Sequence, residues 1–296
     1  MKEIDIEDKI ITFRMEGKSF DDGFDLYNTL TVLQNLQNIL DKAYLTLIDK
    51  ERMSKKDRQL FKIKVTEIKK GSFLSELMIY AGGAMQLAYP IVNAYSPSLL
   101  FDLFKEGYTY LTTILQANRD GKKVNIHQSE SGDNLILVIE GNNYAPINIR
   151  VKTFEFVKRS FDDFKNLTSQ IDGENVKKIN ITDKKSKKDK IEITSREREL
   201  FTVESRLDEK AISFIGEIFR IDTHAKNGKL LIHECEEEQL KGMELNFELI
   251  LDKHVHKCCK IIDKRAEFVA LKKMEYDPIT LKEQIKSLKI IEINSN

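Results

Sequence analysis

Asp57 stands ten residues ahead of Glu67-Ile68-Lys69. Two carboxylates so spaced can share a divalent ion while the lysine positions a water or a phosphate, the chemistry of a metal-dependent nuclease. The same residues also fit an ordinary surface, because Glu-x-Lys on a lysine-rich strand is a common solvated pattern and short matches recur by chance. On this reading Asp57 falls in the loop before the strand. A second set is His254-Val255-His256-Lys257-Cys258-Cys259. On a strand, His254, His256 and Cys258 share one face; His233 and Cys235 share a face on an earlier strand, making five ligands of the kind zinc takes. Against this, no Cys-x-x-Cys pair is present, and Asp252 followed by Val255, Cys259 and Ile262 fits a short capped helix with cysteines as small core residues. No metal and no cofactor is expected.

A third set is cationic. Lys184, Lys185, Lys187, Lys188 and Lys190 crowd one loop, with Lys177, Lys178, Arg196 and Arg198 close in sequence. Such a loop can meet phosphates and add salt-dependent affinity for nucleic acid. Asp183, Asp189, Glu192, Glu197 and Glu199 interleave with it, and no aromatic residue is placed for base stacking, so a solvated hairpin tip explains it more simply. There is no Walker-type loop, no GxGxxG after a strand, no GxSxG elbow and no HExxH, and the reading leans away from an enzyme.

The elements that must position these residues follow from periodicity. Lys9 to Met15 reads as a first strand. Leu26, Leu30, Leu33, Leu36, Leu40, Tyr44 and Leu47 recur every three or four residues, the stripe of an amphipathic helix. Residues 60–80 alternate about Lys69-Lys70-Gly71-Ser72 as a hairpin. Ser96-Pro97 opens a helix that ends near Gly121. A hairpin over 123–140, a helix over about 149–171 and two short strands over 176–193 come next, then a short helix at 195–200. From Phe201 β signals dominate, with a turn at Lys226-Asn227-Gly228 and roughly five strands, the pattern of a small antiparallel barrel or sandwich.

Residues 77–101 contain no charge in a chain of which 32% is charged. About 20 apolar residues suffice to cross a bilayer. However, this run contains Gly82, Gly83, Gln86, Pro90, Asn93 and Pro97, and its ends read as a strand and a helix start, unlike a continuous spanning helix. It is expected to be core or subunit interface, with no membrane. Forty-eight basic residues balance 48 acidic ones, which argues against a surface tuned throughout to nucleic acid. Three cysteines make a poor disulfide framework, and MKEIDIEDKI lacks an apolar signal core, so a reducing, cytoplasmic setting is expected.

Asp57-Arg58 followed by Phe61, then Lys70-Gly71-Ser72-Phe73 after a helix of the Leu26 to Leu47 kind, resembles a family of uncharacterised bacterial proteins with a Lys-Gly-Ser-Phe hairpin motif and a β-rich C-terminal third. The resemblance covers most of the chain and brings no catalytic residues and no assigned function. It implies an accessory part of a mobile-element or phage–host conflict system.

These observations together predict an α+β chain: a domain over 1–172 with an antiparallel sheet covered by helices, a charged hairpin or linker over 173–200, and a small β-barrel-like domain over 201–296. The expected function is a non-enzymatic protein-binding or assembly component that partners another protein or itself as a homo-oligomer. The alternatives are a nucleic-acid-binding protein using the basic hairpin and the barrel, and a metal-dependent nuclease.

Overall fold

The computed structural model describes residues 9–69, 73–81, 97–129, 132–141, 146–184 and 190–294. The fold is α+β and the chain divides into two compact units, Met1–Thr202 and Val203–Asn296.

In the first unit, β1 (Lys9–Glu16), β2 (Phe61–Lys69), β3 (Phe73–Ala81), β7 (Lys178–Asp183) and β8 (Lys190–Ile193) form one sheet in the order β2-β3-β1-β7-β8. Every pairing is antiparallel. The side chains alternate as the pleat requires: Ile11, Phe13, Met15, Leu77, Ile79, Ile179, Ile181, Ile191 and Ile193 are all buried. The segment 173–200, expected as a charged hairpin or linker, forms the β7–β8 hairpin and a helix within this unit. Phe13 lies opposite Ile181, so the charged-looking stretch supplies two strands whose alternate isoleucines complete the core. Three strands make a separate small sheet, β4 (Val124–Gln128), β5 (Asn134–Ile139) and β6 (Ile147–Arg150).

The helices are α1 (Leu26–Leu47), α2 (Lys55–Leu60), α3 (Pro97–Arg119), α4 (Val151–Ser169) and α5 (Ser195–Phe201). Asp25 caps α1 by accepting from the Asn28 N–H at 2.7 Å. The long helices α1, α3 and α4 pack on one another. At their contact Phe104 stacks on Phe164 at 5.5 Å, with Phe156 edge-on. Gly107 permits this approach, since a Cβ there would lie 2.6 Å from the Phe156 ring. The expected helix over 149–171 begins at Val151 because the residues before it pair as β6. Of the uncharged run, 77–81 ends β3 and 97–101 opens α3, while 82–96 lies outside the described residues. Among the described residues no helix is long and apolar enough to cross a membrane.

The second unit is a closed ring of five strands: β9 (Ser205–Asp222), β10 (Asn227–Cys235), β11 (Glu244–Leu249), β12 (Arg265–Asp277) and β13 (Lys282–Asn294), in the order β10-β11-β13-β12-β9 and back to β10. The β11–β13 pair is parallel and the rest are antiparallel. The interior is filled by Phe214, Ile218, Leu230, Ile232, Phe247, Phe268, Leu288 and Ile290, each worth about 1.5–3 kcal/mol when fully buried. Between β11 and β12, α6 (Asp252–Lys260) packs on β9, β11 and β13 and adds Cys258 to that core. Gly228 is required by the closure: a Cβ there would meet the Arg220 carbonyl oxygen at 2.2 Å and the Phe247 ring at 2.7 Å.

Candidate functional site

The sequence-derived candidates do not converge. Asp57 lies in α2 and not in a loop, because Ser54 and Asp57 form a capping box that starts the helix. Its carboxylate is buried and both oxygens are engaged, Oδ1 with Lys50 at 2.7 Å and Oδ2 with the Ser54 N–H at 3.0 Å. Burial pushes this carboxyl up, but hydrogen bonds from Lys50 and Ser54 outweigh it and hold it down at about 2. Glu67 and Lys69 lie on β2, where Glu67 is opposite Glu76.

His254, His256 and Cys258 occupy α6, so the helical period separates them. His254 and Cys258 face the barrel core while His256 is exposed. Burial, with Lys253 and Lys257 beside it, lowers the His254 pKa; burial and Cys259 push the Cys258 thiol up to about 12. The His254 Nδ1 has no hydrogen-bond partner. On β10 the His233 imidazole donates to Glu217 at 3.0 Å and the Cys235 thiol approaches the Ser213 carbonyl at 3.8 Å. Among the described residues no three His, Cys, Asp or Glu side chains gather to hold a metal. In the basic loop, Lys184 pairs with Glu76 and Lys190 with Glu192, while Lys185, Lys187 and Lys188 lie outside the described residues.

A different site emerges on the outer face of the barrel. A groove of about 330 Å³ crosses β9, β10, β11 and the start of β13. Strand register aligns one row of side chains along it: Arg220 opposite Lys229, Lys229 opposite Asn246, Asn246 opposite Ser287, and Ser287 opposite Lys273. Residues directly opposite share a face, so Arg220, Lys229 and Asn246 all project outward and are exposed. Among the described residues neither Arg220 nor Lys229 forms an ion pair. Asp222 is near enough to feel the Arg220 charge, yet its Oδ1 accepts from the Ala225 and His224 N–H groups at 2.9 Å and closes the β9–β10 turn.

A bulge shapes the rim. Lys229 pairs with Arg220 but Leu230 pairs with Ile218, which leaves Phe219 as an extra residue on β9, 41% exposed beside the two cations. At the far side Lys273 pairs with Glu248 at 2.9 Å, a bridge from β12 to β11 that crosses β13 above Ser287. Ser287 is buried beneath it and its hydroxyl has no partner. Lys286 pairs with Glu275. The groove thus brings together Arg220, Lys229 and Asn246, with Asp222 and Glu248 also on its lining and the exposed Phe219 ring beside it. Sequence reasoning missed it, because a turn read at Lys226-Asn227-Gly228 puts β9 and β10 out of their true register.

No protein-family model, curated protein or solved structure matches this chain.

Proposed function

We propose that this chain is a non-enzymatic binding protein that holds a single-stranded nucleic acid across β9, β10 and β11 of its C-terminal barrel. The observation that carries the reading is the direct opposition of Arg220 and Lys229, neither of which forms an ion pair among the described residues. Like charges directly opposite on neighbouring strands destabilise a sheet, and a phosphate seated between them turns that cost into attraction. Phe219 supplies a ring beside the phosphate site, where stacking on a base is worth about 1–3 kcal/mol. The strand order, with its parallel β11–β13 pair and a helix between the third and fourth strands, is also that of the Greek-key barrels that bind oligonucleotides and oligosaccharides on the face of their second and third strands. That support is an analogy of fold and stands behind the side-chain argument.

The unit has no basic excess overall, so binding rests on few phosphate contacts and is modest. Two contacts on a single strand give a slope of log K against log salt of about −1.4. Fluorescence anisotropy of a labelled oligothymidylate, titrated at several salt concentrations, tests this. The expected result is a shallow negative slope that the Arg220→Ala, Lys229→Ala double variant abolishes. Salt-independent binding, or a double variant that binds as the parent does, removes the reading.

A second reading, assembly through another protein or a second copy, is favoured by α1. Leu26, Tyr27 and Leu30 are 69%, 76% and 55% exposed at helical spacing, with Phe24 beside them. Contiguous exposed apolar side chains of this kind mark interaction surfaces. Light scattering of the eluting protein measures its mass directly, and a strict monomer whose mass is unchanged in Leu26→Glu, Leu30→Glu excludes self-association through α1.

A further inference from the structure

The first unit contains a cleft of about 680 Å³ bounded by α3, β5, β6, β8 and α5. Cavities that hold small molecules fall in the range of about 300–1,000 Å³. Its apolar wall is formed by Ala117, Ile139, Ile147 and Leu200, and by Tyr108, whose hydroxyl donates to the Glu192 carbonyl oxygen at 2.8 Å. With its hydroxyl so committed, Tyr108 acts as part of the apolar wall.

The charges around the cleft are unequal in a way that selects a ligand. All three carboxylates that line it are engaged. Glu192 pairs with Lys178 at 3.0 Å and with Lys190. Glu197 accepts from the Thr194 N–H at 2.8 Å and from its hydroxyl at 2.6 Å, which closes the capping box of α5. Asp120 accepts from the Gln116 amide at 2.8 Å and lies 3.9 Å from Lys122. Arg196 is also on the lining and has no carboxylate partner among the described residues. A carboxylate in this cleft would therefore meet a guanidinium that is free to fork around it, while a cation would have to break an existing pair.

We infer that this cleft binds a small amphiphilic monocarboxylate, with its apolar body against Ile139, Ile147 and Leu200 and its carboxylate on Arg196. The site lies wholly within the first unit and is independent of the barrel reading. Octanoate and octylammonium share a chain length and differ in the sign of the head group, so titration calorimetry of the full-length protein with each is the test. Octanoate is expected to saturate one site and octylammonium to show no saturable heat. Loss of a charged hydrogen bond costs about 1.5–3 kcal/mol, so Arg196→Gln is expected to weaken octanoate by about tenfold or more. Thr113→Trp, which fills the cleft from α3, is expected to abolish it. Arg196 is exposed, so its variant should melt with the parent and report binding alone. No saturable octanoate binding, equal binding of octylammonium, or octanoate affinity unchanged in Arg196→Gln would each overturn the assignment.

Discussion

In the first unit Asp41, Asp57 and Asp163 are buried and each is closed by a cation, Arg58, Lys50 and Lys42 respectively. On the barrel, Arg220 and Lys229 face one another with no such ion-pair partner among the described residues. In the first case the charges tie α1 to α2 and to α4, and removing one partner leaves a buried carboxylate uncompensated, which is costly. In the second the two like charges stand directly opposite one another on neighbouring strands, an arrangement that opposes sheet pairing.

Four measurements break or sharpen that contrast. The largest effect is expected from Gly228→Val, where the new side chain is forced against the Arg220 carbonyl and the Phe247 ring. Hydrogen exchange should show the barrel losing about 3 kcal/mol with protection in the first unit unchanged. If both units lost protection together, the two could not be treated as separately stable. Next comes Asp57→Ala, which removes a capping box and a buried ion pair together and should cost about 2 kcal/mol. Because its folded carboxyl titrates near 2 against 3.8 in the open chain, that stabilisation is complete above pH 3.8 and is lost as the pH falls toward 2. A parent and an Asp57→Ala protein with equal acid midpoints would show that the pair contributes nothing.

His254 should give a smaller effect of a different kind. Its imidazole is held neutral by burial below the ordinary value of 6.5, so as the pH drops under about 6.5 the unfolded chain takes the proton first and the barrel loses stability. His254→Leu should flatten the barrel's melting temperature between pH 7 and pH 5; an unchanged slope would assign it to other groups. The smallest stability effect belongs to the site itself. Arg220→Ala with Lys229→Ala should leave the barrel's melting temperature within the range of about ±0.5 kcal/mol seen for ordinary surface changes, or raise it slightly. A loss of more than about 1 kcal/mol would mean that the two cations are structural after all.

Much of the fold was legible because it obeys simple periods. The helix over 26–47 and the strands after residue 201 both form, but only the C-terminal part of the expected α1 stripe, Leu36, Leu40, Tyr44 and Leu47, is buried, while Leu26 and Leu30 are exposed and Val32 and Ile39 take their place in the core. What was hidden depended on partners remote in sequence. The strands of 178–193 look like a charged hairpin until Phe13 is known to lie opposite Ile181. β6 is only four residues long and is defined by pairing with β5. The barrel groove was hidden by register. Lys226-Asn227-Gly228 reads as the turn, yet the chain turns at 223–226, with Lys226 at φ 53° and Asn227 already paired with Asp222. The bulge at Phe219 adds a further offset. Counting from the wrong turn gives Lys229 a different partner, and the opposed cations disappear from view.

The closure of the second unit also limits how copies of this protein can associate. A ring in which every strand has two neighbours leaves open backbone donors and acceptors only where a strand overruns its second partner, as β9 does over 205–213 and β13 over 282–286. In the first unit β2 and β8 each pair on one side only among the described residues. Exposed Lys62 and Lys64 guard the β2 margin, and β8 is just four residues long. Strand-by-strand recruitment at the first sheet is thus resisted by charge and by shortness, and in the barrel it is limited to the ends of β9 and β13 that outrun the ring.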